Sequence, residues 1–459
     1  MGHIVFAAPG IDRFHLHERL RRELLQRGHT VTVLCLDAVS HTFWRHQDVD
    51  TACIEPGSPT LQGPFDELAL RECQRRGLRP GSLRERRTRH RVRDRLARCA
   101  TGLARWFERA RCDLVLLHRD RSAEHHLVQF AAQQAGCRVL WTGNGLLPHT
   151  LQADERGLDG DARALSRSAG DYRVVRGEPS LLEACLTSLL ASTSPSALPA
   201  REPAVPPLWS RLCSVWPALT QRGLGGARAA LSAWRGALPP PPGGAPPQFE
   251  LPGRAFVTVL LQDDDDERVR LDAASPPAAH DLVAAAALAT AKLDPRLCLL
   301  VVEPPRGLRQ RAFQGLQLPA QVHVLPPHAG PVATATAVAT ITINHPLASA
   351  GLLAGTPVVH TGSALYGLRG VTTKVATLEL PDALRAAVER DHPTLRQRFL
   401  SWLFGYGHVW CSATLPDHNG LMGLVQVIEA RLGPQPPNHA DLHYLKGPSW
   451  PLAAERRGH

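Results

Sequence analysis

The 459-residue sequence has no long apolar run, no closely spaced cysteines and only three lysines among its 52 basic residues. Its least polar stretches, around 283–291 and 332–343, fall well short of the ~20 residues a spanning helix needs. The first ten residues have no basic region followed by an apolar core, so no secretory signal is expected. The ten cysteines never stand closer than 13 positions apart and form no CxxC pair. Zinc knuckles and thioredoxin-like motifs are thereby excluded, and reduced, buried thiols in a cytoplasm are expected. The turn Ala8-Pro9-Gly10-Ile11-Asp12 is not a GxGxxG fingerprint, which argues against a dinucleotide oxidoreductase.

What is present is 44% hydrophobic sequence, ample for large cores in a chain whose length suits two domains. The net charge of +10 is concentrated: residues 71–111 hold fifteen arginines against four acids, and the rest of the chain sums to −1. Val92, Leu96, Cys99, Leu103 and Trp106 recur at helical spacing beside these arginines, so a packed amphipathic helix is predicted there. Such a patch attracts an anionic membrane face or a polyanionic glycan, or it is simply a solvated helix face. Nucleic acid is disfavoured, because no recognition motif accompanies the charge.

Residues 192–252, with the run 239–247 of Pro, Gly and Ala, read as a linker or exposed excursion between two halves. The expected division is 1–191, an acceptor-side α/β domain; 253–435, a nucleotide-sugar domain; and 436–459, a tail. In the first half, strands are predicted at 3–7, 30–36, 114–117 and 138–142, with helices at 15–27 and 123–135. In the second, strands are predicted at 256–261, 297–302, 322–325, 340–343 and 357–360. Strands alternating with helices imply parallel sheets covered on both faces. Ligands bind such sheets at the carboxyl ends of the strands.

Those ends carry polar clusters: Gln262 through Glu267 with four consecutive aspartates, Glu303 to Arg306, Asn344-His345-Pro346, and Thr361-Gly362. Crowded aspartates repel one another and raise some pKa values, as suits a general base or nucleophile. An exposed acidic loop and a metal-binding run are the alternatives. Asn344 to Pro346 fits either phosphate binding at a helix start or capping by Asn344. His15, His17, His125 and His126 read as structural or surface residues, and no metal site is expected.

The same residues carry a resemblance. Asn144-Gly145-Leu-Leu-Pro148 with Asp154 to Gly157, the 256–270 segment with Gln262 and Asp266, and 343–371 with Asn344, Gly355, Pro357, Gly362, Tyr366 and Gly370 are similar, in order and spacing, to motifs of bacterial capsule polysaccharide biosynthesis proteins. These are retaining β-Kdo transferases that build a lipid-linked linker. The resemblance implies two Rossmann-like domains with parallel sheets in a GT-B-like arrangement, joined by the Pro/Gly-rich segment. It also implies CMP-Kdo as donor substrate with no further cofactor, and a phosphatidylglycerol-type lipid or lipid-linked glycan as acceptor. Asp266 would be the nucleophile beside Gln262, and Asn144, Gly145, Glu303, Asn344, His345, Gly362 and Tyr366 would contact substrate or nucleotide.

A cytoplasmic protein, peripheral on the inner membrane, would then dock through Arg86, Arg87, Arg91 and Arg95, with a capsule assembly or export complex as a further partner. The sequence also departs from the motifs. Gly143 replaces the Glu before the Asn-Gly pair, Val302 to Pro305 lacks the Lys and His of the K-x-H-P segment, and His345-Pro346 replaces two hydroxyl residues. A diverged transferase, a GT-B enzyme using another nucleotide sugar and a non-catalytic assembly protein all stay open.

Overall fold

The structure, a computed structural model, describes residues 1–9, 13–36, 38–54, 67–77, 83–118, 122–191, 249–263, 266–273, 278–304, 321–413 and 416–433. For 38, 39, 74–77, 83–92 and 267 only the backbone is described. Most of the expected linker, the C-terminal tail, two of the four consecutive aspartates and the side chains of Arg86, Arg87 and Arg91 therefore lie outside the described residues.

The first half runs β1 (His3–Ala7), α1 (Phe14–Gln26), β2 (Thr30–Cys35), α2 (Ala38–Arg45), β3 (Thr51–Cys53), α3 (Glu67–Gly77), α4 (Leu83–Ala110), β4 (Leu114–His118), α5 (Ala123–Gln134), β5 (Arg138–Asn144), β6 (Leu151–Asp154), short 3-10 turns, and α6 (Pro179–Ala191). The second runs β7 (Phe256–Leu260), α7 (Glu267–Asp272), α8 (Ala279–Leu293), β8 (Cys298–Val302), β9 (Val322–Leu325), α9 (Gly330–Ala335), β10 (Ala339–Thr342), α10 (Ala348–Ala354), β11 (Val358–His360), β12 (Thr373–Lys374), α11 (Leu380–Glu389), α12 (Pro393–Gly405), β13 (His408–Val409) and α13 (His418–Leu432).

Two sheets result. The first has the order β13-β6-β5-β4-β1-β2-β3 and the second β12-β11-β10-β7-β8-β9. From β3 to β5 the first sheet is parallel; β6 pairs antiparallel with β5, and β13 antiparallel with β6. Every pairing in the second sheet is parallel. Both sheets thus have the Rossmann order 3-2-1-4-5, the second with a sixth strand, and in each the strand order reverses once, between the parallel neighbours β1 and β4 and between β7 and β10. The central strands are apolar throughout because helices cover both faces: β4, β7 and β8 are buried along their whole length.

Packing divides the chain differently from composition at two segments. Leu181, Cys185 and Leu189 of α6 share a core with Cys298, Leu300, Phe399 and Phe404 of the second half. Conversely, Leu421, Leu424, Val425 and Ile428 of α13 pack with Ile4, Phe6, Leu16 and Leu20 of the first. The chain therefore crosses twice between two Rossmann-like units, as in a GT-B arrangement.

The Arg-rich segment is helical, as its spacing predicts. It buries Leu96, Cys99, Leu103 and Phe107 against the first sheet, while Trp106 lies half-buried beside them. Part of its charge is neutralised by neighbouring acids. Arg93 makes a two-pronged contact with Glu67 of α3 (2.6 and 3.1 Å), and Arg95 lies 3.4 Å from Glu124 of α5. Arg95, one of the four arginines expected to face lipid, is 43% exposed and has a carboxylate neighbour because α5 packs alongside α4. Of the nine described cysteines, eight are buried and Cys53 is half-buried.

Candidate functional site

The strand order of the second sheet reverses between β7 and β10, and the two strands end there in Gln262 and Asn344. Their side chains interlock: Gln262 Nε2 donates to Asn344 Oδ1 (2.9 Å), and the Asn344 backbone N–H donates to Gln262 Oε1 (3.0 Å). Asn344 Nδ2 reaches the carbonyls of Arg268 (2.9 Å) and Ser363 (3.1 Å), tying β7, β10 and the loop after β11 into one edge. Both amides are buried and spend their polar groups on protein, so their work here is to hold the edge. Asn344 does not cap α10, whose cap residue is Leu347 with no side-chain bond.

His345 follows, its Nδ1 accepting from the Leu347 N–H (3.1 Å), so the ring proton sits on Nε2. Burial, with the nearby Arg268 guanidinium, pushes its pKa down to about 3. The imidazole is therefore uncharged at neutral pH. It cannot supply the positive charge that a phosphate would want, but it keeps one N–H to donate. Tyr366 Oη donates to the His345 carbonyl (2.9 Å), with burial keeping the phenol protonated. At Gly362, the backbone N–H donates to the Ile343 carbonyl (2.9 Å), and an added Cβ would lie 3.2 Å from Asn344 Nδ2, so only glycine fits comfortably.

Two carboxylates border this edge. Asp266 opens α7 and its Oδ1 accepts from the Arg268 N–H (2.8 Å), an N-cap; Oδ2 has no partner among the described residues. Glu303, at the end of β8 next to β7, is 6% exposed and its carboxylate has no partner among the described residues. Burial pushes its pKa up. Gln262, Asp266, Asn344, His345, Gly362 and Tyr366 thus form one connected cluster, with Glu303 one strand away.

Asn144 and Gly145 lie elsewhere, at the end of β5. Asn144 is exposed. Gly145 sits in the β5–β6 turn, its N–H donating to the Thr150 carbonyl (2.9 Å), and a Cβ there would strike the Thr150 hydroxyl and His408. No hydrogen bond joins these two residues to the second-sheet cluster among the described residues. At Gly143, where the resembled motif has Glu, a Cβ would lie 2.6 Å from Leu158 Cδ1, so a side chain there requires the Leu158 side chain to shift.

The two edges meet through Arg268, whose Nε donates to Asp159 Oδ1 (2.9 Å), both groups largely buried. Asp159 N–H in turn donates to Gln152 of β6 (3.2 Å), which pairs with Gly143 of β5.

Two histidines, and any role for Asp154, escaped the sequence reading. His118, at the end of β4, bonds Thr142 Oγ1 (2.8 Å) and stacks edge-on with His17 at 5.0 Å, where the strand order of the first sheet reverses. His360 donates from Nδ1 to the Gly362 carbonyl (2.7 Å) and accepts at Nε2 from Thr372 (3.0 Å), with burial pushing its pKa down to about 4. Asp154 accepts from the backbone N–H groups of Arg156, Gly157 and Arg163, yet burial still pushes its pKa up. A histidine closing an apolar strand, as in both Leu114–His118 and Val358–His360, is the signal that marks the first two. Among the described residues no cluster of His, Cys, Asp and Glu is arranged to hold a metal ion.

No protein-family model matches the chain, and no curated protein does. Solved structures with a similar trace include the glycotransferase of kitacinnamycin, at 15% identity over 94% of this chain and 99% of that one, with a TM-score of 0.35. The β-Kdo 2,4 transferase KpsC of Thermosulfurimonas dismutans is similar at 15% identity over 70% and 88% of the two chains, TM-score 0.37. The calicheamicin glycosyltransferase CalG4 is similar at 15% over 95% and 100%, TM-score 0.33. The fold assignment rests on the two strand orders, not on these distant likenesses.

Proposed function

We propose that this protein is a glycosyltransferase that takes a nucleotide-sugar donor on its second sheet and a glycan acceptor on its first. The observation that carries this reading is the meeting of two Rossmann-order edges through Arg268 and Asp159, with the donor-side cluster built where β7 and β10 end. In this reading Glu303 exchanges a proton, and Asp266, oriented by one oxygen with the other unspent, acts as the nucleophile of a retaining transfer. The motif resemblance supports CMP-Kdo as donor and a lipid-linked glycan as acceptor, with work at the cytoplasmic face of an inner membrane. Among the described residues no helix is long and apolar enough to cross a membrane, so attachment in this reading is peripheral.

A thermal-shift panel of CMP, UDP and GDP tests the donor. Stabilisation by CMP above the other two, followed by transfer from CMP-Kdo, is the expected result. Preference for UDP or GDP would move the protein to another donor class, and no response to any nucleotide would sink the transferase reading. A non-catalytic role in capsule assembly is the second reading. It is favoured by one observation: Gln262 and Asn344 spend their polar groups on each other instead of offering them to a ligand.

A further inference from the structure

Away from the strand-end cluster, a cavity of about 880 Å³ opens between the 3-10 segment 163–173, the loop before β12 and the start of α12. Arg167, Arg173, Arg369 and Arg398 line it, from three separate stretches of chain, and among the described residues Asp391 is the only acid in the lining. That carboxylate is already paired with Arg396. Two of the arginines are held in place. Arg167 lies over the Trp402 ring at 5.0 Å, and Arg398 Nη1 donates to the Arg173 carbonyl (2.8 Å). The side chains of Arg173 and Arg369 have no partner among the described residues.

The mouth of α12 adds to this field. The 13-residue helix has Pro393 in its first turn, no capping side chain and no acidic residue there. Thr394 and Leu395, from that first turn, line the cavity. The helix dipole and its unclaimed N–H groups favour an anion at the same spot as the arginines. A lone ion would leave most of such a volume empty, whereas a ligand-sized pocket is typically ~300–1,000 Å³. Leu165, Leu368 and Leu395 supply apolar wall for a carbon skeleton.

We infer that this cavity binds an organic ligand carrying more than one oxyanion group, phosphate or carboxylate, through Arg167, Arg173, Arg369 and Arg398. Within the transferase reading, on which only this clause rests, the ligand is an anionic saccharide bound apart from the donor. Isothermal titration with inorganic pyrophosphate and with citrate separates the phosphate and carboxylate sources.

At 0.1 M salt at least one is expected to bind with a Kd below about 1 mM, an affinity that multidentate arginine contacts reach readily. The double variant Arg173→Gln/Arg369→Gln should weaken that binding by about tenfold or more, since each substitution removes charge-assisted hydrogen bonds to the oxyanions. Both positions are exposed, and circular dichroism checks that the variant stays folded. Failure of both probes to bind, or equal affinity in the variant, overturns the inference. CMP binding measured on the same samples reports separately on the strand-end site, so failure of the donor reading is distinguishable from failure of this one.

Discussion

At the scale of single residues, local bonding separates roles that the motifs leave merged. Asp266 both caps α7 and presents a second oxygen, so its capping and the nucleophilic role proposed for it respond differently to substitution. Asp266→Asn keeps an efficient cap, so its thermal midpoint should stay close to that of the parent. Transfer activity should fall by ~10²-fold or more, the scale of a catalytic group. Equal activity in a steady-state assay would remove Asp266 from the chemistry.

Three buried histidines set an acid limit on stability. His345, His360 and His408 are held neutral, with pKa values pushed down to about 3, 4 and 4 by burial. Each binds a proton in the unfolded chain near pH 6.5 but in the folded chain only well below it. Unfolding therefore takes up protons between those values, and stability falls as the pH drops from about 6.5 towards 4. The contribution is on the order of 1 kcal/mol per pH unit for each group. Urea midpoints should decline over this window, and His360→Gln should make the decline shallower. A midpoint flat from pH 7 to 4.5 would contradict the neutral assignment.

At the scale of elements, α4 shows how a charge run and a core stripe share one helix. Leu96, Cys99 and Leu103 recur at helical spacing and do face the core, but the fourth large contact is Phe107 rather than Trp106. The arginines are partly spent on Glu67 and Glu124, and these exposed pairs are individually weak. If the helix docks on lipid, Arg→Glu reversal at 86, 87 and 91 should reduce flotation with phosphatidylglycerol vesicles at low salt. Arg95→Glu, which sets two acids side by side, should cost stability as well. Raising salt from 0.1 to 1 M should release the wild type, since the Debye length shrinks from ~10 to ~3 Å. Flotation unchanged by the three reversals would refute docking through this helix.

At the scale of the whole molecule, the two crossings make each half depend on a segment of the other. The α13 helix places Leu424 and Ile428, both fully buried, in the core that also holds Phe6 and Leu20, some 400 residues earlier in the chain. Leu424→Ala should destabilise the first half by about 2–5 kcal/mol, the usual cost of emptying a packed leucine site. Chemical denaturation followed by Trp44 and Trp141 fluorescence, both buried in the first half, checks it. A change below roughly 0.5 kcal/mol, the scale of a surface substitution, would mean that α13 is not integral to that core.

The apolar runs 3–7, 114–117, 256–261 and 297–302 determined by themselves where the central strands lie, because a parallel strand covered on both faces has to be apolar along its length. The polar clusters after them were legible for the same reason: in an α/β unit the chain leaves the core at the strand's carboxyl end. The strands β12 and β13 were not, since two residues carry no readable period, and neither were β3 and β6.

Nor could the sequence say that Gln262 pairs with Asn344, 82 positions away, that Leu158 closes the space over Gly143, or that α6 and α13 exchange halves. Those facts depend on which surfaces meet after the chain has crossed over. Spacing along a sequence encodes the period of an element, whereas the partner of a buried side chain is chosen only when two elements pack.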